Sequence, residues 1–193
     1  MGDIVISLAI SADGYASGPG DDLSVMPFDR AFNLHNAALV GRAAALLLGA
    51  ITFRQMLGYW PHQRDAADPS ERAIAQRYAD GLPVSVVSDS LGPDDTGVWR
   101  DQTTVVPRDD VRTEVERLRG LDGDVVVFGS TTLVRHLLRE GLADVVHLLV
   151  GAGLVAGDRP ALADTAATAL RLQDVRRFDG ADSVLLSYAV VPA

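Results

Sequence analysis

The chain has 193 residues, 48% of them hydrophobic, and carries a net charge of −9. That suits a single domain spanning 1–193, and it excludes a disordered linker; no basic patch is present to neutralise the phosphates of a nucleic acid. Cysteine and lysine are both absent, which removes thiol nucleophiles, disulfides, thiolate metal sites, lysine Schiff bases and the lysine of a phosphate-binding P-loop.

Ile4 to Ile10 reads as a first strand, apolar enough to be central in a sheet. It lacks a basic flank and is too short for a bilayer, so neither a signal nor a span is expected and a cytoplasmic location follows. Ser11-Ala12-Asp13-Gly14-Tyr15 breaks it, and a loop continues through Ser17 to Asp22. Helical spacing runs from Pro27 to Arg42, followed by a second strand from Ala44 to Leu48 that ends at Gly49. A helix opens at Ile51 and closes at Gly58-Tyr59-Trp60-Pro61, and Glu71 to Asp80 is polar and helical.

Val84 to Ser88 is a third strand, leaving into turn chemistry at Asp89 to Pro93. Thr103 to Val106 is a short strand, and Val111, Val115 and Leu118 mark an amphipathic helix. Asp124 to Phe128 is a buried strand that delivers Gly129-Ser130-Thr131-Thr132 to a helix carrying Leu133, Val134, Leu137 and Leu138 on one face. Val145 to Val150 is a further strand, then a glycine-rich bend from Gly151 to Pro160. Ala169 to Phe178 and Ser183 to Val191 read as a terminal antiparallel hairpin. Strands alternating with helices, then a hairpin, specify an α/β fold with a mostly parallel sheet and an antiparallel edge.

Three strand ends carry small or hydroxyl residues: Gly49-Ala50-Ile51-Thr52, Ser88-Asp89-Ser90 and Gly129-Ser130-Thr131-Thr132. Ligands of open parallel sheets sit beyond the carboxyl ends of the strands, and a helix N-terminus with free amides and hydroxyls holds an anion such as phosphate. Taken alone, the Gly129 turn reads equally as a capped helix after a core strand. Gly151-Ala152-Gly153-Leu154-Val155-Ala156-Gly157 imitates a dinucleotide fingerprint, but its spacing is one residue too long and Asp158-Arg159-Pro160 stands where a helix should propagate.

Several motifs together resemble the dihydrofolate-reductase-like family, in the branch of the riboflavin-biosynthesis reductase (RibD C-terminal domain). They are Ser11-x-Asp13-Gly14-Tyr15, Leu46-Leu47-Leu48-Gly49-x-x-Thr52-Phe53, Tyr59-Trp60-Pro61, Val86-Val87-Ser88 and Val127-Phe128-Gly129-Ser130-x-x-Leu133-Val134. Gly141-Leu142-x-Asp144 and Gly157-x-Arg159-Pro160 extend the match along essentially the whole chain. The resemblance implies a three-layer fold on a mixed, mainly parallel eight-stranded sheet, NADPH as hydride donor, a small planar heterocyclic or carbonyl substrate, and a homodimer. It assigns Gly49, Ala50, Ile51 and Thr52 to the adenosine side and pyrophosphate, and Ser88 and Ser90 to the adenosine ribose and its phosphate. Gly129, Ser130, Thr131, Thr132 and Leu133 would cradle the pyrophosphate, with Ala9 and Ile10 beside the nicotinamide.

The departures bear on the cofactor. Many members of the family it resembles carry arginine where Ala50 stands, and Asp89 adds a nearby negative charge, so NADH is the alternative donor, with Arg54 the residue that could substitute. A proton source is also required. Asp13 and Asp29 are the catalytic candidates. Tyr15, Asn33, His62 and Trp60 are the substrate-binding ones, and Asn33 stands near the place where dihydrofolate reductases hold their acid. Asn33 cannot supply a proton, which argues against folate reduction. Asp13 with Gly14 also reads as turn chemistry, Asp29 as a charge near a helix N-terminus, and Trp60 as core. The four histidines have no metal-binding spacing. A non-catalytic binder of a nucleotide or planar ligand on the same fold is the competing reading. A serine hydrolase is rejected because no Gly-x-Ser-x-Gly elbow surrounds Ser130.

Overall fold

The structure is a computed structural model and describes residues 2–192. Its strands are β1 (Ile4–Ser11), β2 (Ala43–Gly49), β3 (Val84–Val87), β4 (Thr103–Val106), β5 (Asp124–Phe128), β6 (Val145–Gly151), β7 (Leu170–Arg177) and β8 (Val184–Val190). The helices are α1 (Arg30–Arg42), α2 (Ala50–Tyr59), α3 (Pro69–Ala79), α4 (Val111–Arg119) and α5 (Thr131–Arg139). The strands lie in the order β4-β3-β2-β5-β1-β6-β8-β7 in one eight-stranded sheet, the mixed α/β arrangement the sequence specifies. Among the described residues, no helix is long and apolar enough to cross a membrane.

The chain divides into two compact units, one of residues 1–4 and 33–130, the other of residues 5–32 and 131–193. In the first, β2 lies between β3 and β5 and is parallel to both. Leu46, Leu47 and Leu48 are fully buried, as a continuous apolar run requires of a parallel strand covered on both faces. α3 begins two residues earlier than its polar pattern suggests, because Asp68 caps it by accepting the Ser70 amide at 2.7 Å and Pro69 supplies a helix-ready φ.

The 3-10 stretch Pro93–Gln102 is a feature the periodicity misses. It is held by packing rather than pattern: Trp99 stacks on Tyr78 with centroids 4.5 Å apart and meets the edge of Phe53 at 6.0 Å. Beneath β3, buried Glu114 accepts a 2.5 Å hydrogen bond from Ser85 Oγ and pairs with Arg117 at 2.7 Å, fixing α4 to the sheet.

In the second unit β1 and β6 run parallel with Val5 opposite Val145, and β8 and β7 complete an antiparallel edge. All eight residues of β7 are exposed. α1 starts three residues later than its spacing suggests, because Asp29 is its capping residue: Oδ1 accepts the Ala31 amide at 2.9 Å. Oδ2 of the same carboxylate accepts Asp182 N and Ser183 N at 3.0 Å and Ser183 Oγ at 2.9 Å, so one side chain also clamps the β7–β8 turn.

The glycine-rich bend is a close-approach segment. A Cβ at Gly151 would stand 2.7 Å from Pro27, and one at Gly157 would stand 2.2 Å from the Ser17 carbonyl and 2.8 Å from the Tyr15 ring. Those glycines are there to let backbone pass.

Candidate functional site

In the first unit, the ends of β2 and β5 meet. Gly49 caps α2 without any side chain to satisfy the first turn, so the amides after it remain available to an anion. A Cβ on Gly49 would lie 2.2 Å from Ser130 Oγ, and one on Gly129 would lie 3.2 Å from Thr52 Oγ1. Thr52, buried on the first turn of α2, accepts the Ser130 amide at 3.0 Å. Gly129 and Ser130 both have positive φ, +54° and +35°, a turn that only a glycine enters without strain. The structure therefore brings Gly49, Thr52, Gly129 and Ser130 together as hydroxyls and backbone with no large side chain among them. Ala50 is half-buried and Ile51 is 70% exposed beside them. That backbone-lined ground fits a phosphate-bearing cofactor, although the Ser130 amide is already spent on Thr52.

At the end of β3, the buried Ser88 hydroxyl accepts the amides of Ser90 and Leu91 at 3.2 and 3.0 Å, closing the turn, and Ser90 is exposed. Asp89 does not stand as a bare negative charge. Its Oδ1 accepts the Arg108 amide at 2.9 Å and its Oδ2 lies 3.3 Å from Arg108 Nε. Arg108 is the residue that sequence reasoning misses. The signal for it is register: Val87 pairs with Val106, which sets Arg108 against Asp89 two positions on. Arg54, on α2, is exposed.

Asn33 donates through Nδ2 to Asp68 at 3.3 Å and Glu71 at 3.2 Å, and Tyr59 OH donates to Glu71 at 3.0 Å. Burial and then Glu71 push the Tyr59 phenol above its ordinary value. The Asn33 amide nitrogen is thus engaged within the unit. Trp60 is 8% exposed, between the Tyr59 ring at 4.9 Å and the Tyr78 ring at 6.2 Å, which is a core position. His62 is exposed in the 3-10 turn after α2.

In the second unit, Asp13 accepts Ser11 Oγ at 2.5 Å, Val155 N at 3.2 Å and Ala156 N at 2.9 Å. The Ser11 hydroxyl and then those amides hold its carboxyl below the ordinary range. Asp13 thus joins the β1 turn to the bend 142 residues on. Tyr15 packs over Gly157. Asp29 is likewise ionised: burial raises its pKa, but its donors at Ser183, Ala31 and Asp182 outweigh burial. Both carboxylates are saturated with donors, a geometry for tying loops rather than releasing protons. Ala9 and Ile10 are half-buried at the end of β1. Thr131 and Thr132 open α5 with partial and full exposure, and Leu133 is buried.

Comparison with known proteins agrees with this architecture. The model of the RibD C-terminal domain matches residues 3–185. No curated relative matches the chain. Among solved structures, a putative riboflavin biosynthesis protein from Shewanella sp. PV-4 superposes with TM-score 0.70 at 16% identity, covering 98% of this chain and 99% of that one. A diaminohydroxyphosphoribosylaminopyrimidine deaminase/5-amino-6-(5-phosphoribosylamino)uracil reductase from Thermotoga maritima gives 0.65 at 15%, covering 98% of this chain and 57% of that one. Dihydrofolate reductase from Enterococcus faecalis, complexed with NADP(H), gives 0.56 at 12%, covering 97% and 96%. At these identities the likeness speaks for the fold; the family model, matched over nearly the full length, makes this chain a member of the RibD C-terminal domain family.

Proposed function

We propose that this chain is a nicotinamide-dependent reductase acting on a small planar heterocyclic or carbonyl substrate. NADPH is the donor we favour, and 5-amino-6-(5-phosphoribosylamino)uracil is the substrate of first choice. The observation that carries the reading is the uncapped start of α2 at Gly49, lined by the Thr52 and Ser130 hydroxyls. Family membership and a structural neighbour that holds NADP(H) support it.

In this reading the amides after Gly49 bind a cofactor phosphate, and Thr52 holds the Ser130 turn in position. Ser88 shapes the turn that meets the adenosine ribose. Arg108, with one face on Asp89, takes the 2′-phosphate in place of the arginine absent at Ala50. Ala9 and Ile10 flank the nicotinamide, which supplies the hydride when bound. Asp13 fixes the bend that carries Val155 and Ala156, and Tyr15 covers it. Asp29 anchors the hairpin turn. The second copy of a homodimer is assigned to the outer edge of β7, where Leu172 and Val175 are 53% and 52% exposed.

One observation favours the competing reading of a non-catalytic binder: both carboxylates singled out as acids are held ionised. Tryptophan fluorescence during separate NADPH and NADH titrations tests cofactor binding, and NADPH oxidation with candidate pyrimidines tests turnover. Saturable quenching with turnover supports the reductase. Quenching without turnover transfers the assignment to the binder, and no response to either nucleotide removes the cofactor site.

A further inference from the structure

Arginines 135, 139 and 159 lie on two segments of the second unit, α5 and the loop that follows the glycine-rich bend. All three act on a single carboxylate. Arg159 is ion-paired with Asp164 through Nη2 and Oδ2, Arg139 Nη2 donates to the Asp164 carbonyl at 3.3 Å, and all three guanidinium charges depress the Asp164 carboxyl. Arg135 is the unusual member. It is 9% exposed, and it donates Nε to the Ala161 carbonyl at 3.2 Å. Among the described residues, its two terminal nitrogens make no hydrogen bond or ion pair. Burial, and then the neighbouring Arg159 charge, pull its guanidinium below the ordinary value, with Asp164 opposing them.

The Arg135 side chain is mostly covered, yet its terminal nitrogens are reached by solvent and stay open to an incoming acceptor. Three guanidinium groups around one carboxylate leave a local excess of positive charge, and the planar forks suit an anion with several oxygens. Asp164 itself sits at φ +58°, a conformation that costs a non-glycine residue free energy. Its exposed carboxylate is paired with Arg159 and lies within electrostatic reach of Arg135 and Arg139. The frame around it is fixed: Ala161 is 2% exposed, accepts Arg135 through its carbonyl and donates its amide to the Gly14 carbonyl at 2.9 Å.

We propose that Arg135, Arg139 and Arg159 form a binding site for a phosphate-monoester dianion, with the Asp164 carboxylate as its internal stand-in when no ligand is bound. The site borders the Asp13-Gly14-Tyr15 turn through the Ala161–Gly14 hydrogen bond. It goes beyond the reductase reading and stands without it. The two sources of the dianion, free phosphate and an organic phosphate, share the chemistry and are separated by the test.

The test is isothermal titration calorimetry of the full chain at fixed ionic strength, with inorganic phosphate, ribose 5-phosphate and ribose as probes. Ribose 5-phosphate is expected to bind saturably while ribose does not. Inorganic phosphate binding as tightly would name the free ion as the ligand, and binding more weakly would name the ester. R159Q and R139Q, both at exposed positions, are expected to weaken binding about tenfold each. D164N should tighten it about threefold or more, whereas D65N, which removes the same charge from an exposed position in the other unit, should change it little. No binding by either phosphate, or equal binding in R159Q, R139Q and the unaltered chain, overturns the site. NADPH quenching read on the same samples keeps the two assignments apart. Lost phosphate binding with intact quenching overturns this site alone, and the reverse overturns the cofactor reading alone.

Discussion

The amide of Ser130 donates to Thr52 Oγ1 at 3.0 Å, so the turn after β5 is fastened to the first turn of α2 by a hydroxyl 78 residues away. Gly49 lies against the same serine, whose Oγ would be 2.2 Å from an added Cβ. G49A should therefore destabilise the protein by about 1–3 kcal/mol, as overpacking does, and should weaken nucleotide quenching. The added S130G substitution removes the clashing hydroxymethyl and relieves the positive φ of Ser130. Recovery of at least half the loss in thermal denaturation is the expected outcome, and additive losses would show that the contact is not the cause.

Arg108 against Asp89 leads to a prediction on cofactor choice. R108Q should raise the NADPH dissociation constant about tenfold and leave that of NADH nearly unchanged, since a single charge-assisted contact to the 2′-phosphate is lost. D89N should move NADPH in the opposite direction. Equal effects on both nucleotides in a fluorescence titration would place Arg108 outside the ribose-phosphate site.

Glu114 makes acid stability measurable. Burial raises its carboxyl, but the hydrogen bonds from Arg117 and Ser85 outweigh burial and leave it below the ordinary value of 4.5. A depressed carboxyl stabilises the folded state fully above the unfolded value, and that contribution is lost as pH falls through the folded one. Denaturant unfolding between pH 7 and pH 3 should show stability falling below about pH 4.5. E114Q should be less stable at neutral pH and should flatten that acid limb.

Asp29 separates anchoring from catalysis. D29N places an amide donor against three donors of Asp182 and Ser183, and should cost about 2 kcal/mol in thermal unfolding. If the carboxylate is an anchor, the pH profile of any turnover keeps its shape in D29N. Loss of one limb of that profile without loss of stability would return Asp29 to the role of acid.

The elements legible in the sequence are those whose burial is written locally. The apolar run of β2, the β5 strand with its Gly129-Ser130 exit and the terminal hairpin all stand within a residue or so of their expected positions. What the sequence conceals is partnership over distance. Asp29 and Asp13 look like free acids until Ser183 and Ala156 arrive from more than 140 residues away. Asp89 looks like a liability until β4 brings Arg108 alongside. The Pro93–Gln102 stretch has no periodicity because aromatic stacking from Tyr78 and Phe53 holds it. Trp60 is more legible, since a tryptophan after an amphipathic helix is core more often than ligand platform.

The division of the chain also sets a timetable for synthesis. Residues 33–130 leave the ribosome as one uninterrupted length and carry nearly all of the first unit, so that unit can close while translation continues. β1 has less of that advantage: Val5 must wait for Val145 before its β6 partner exists. For that interval a strand made almost wholly of buried residues is without its β6 partner. Over that interval β1 is therefore a stretch open to mispairing and to chaperone capture.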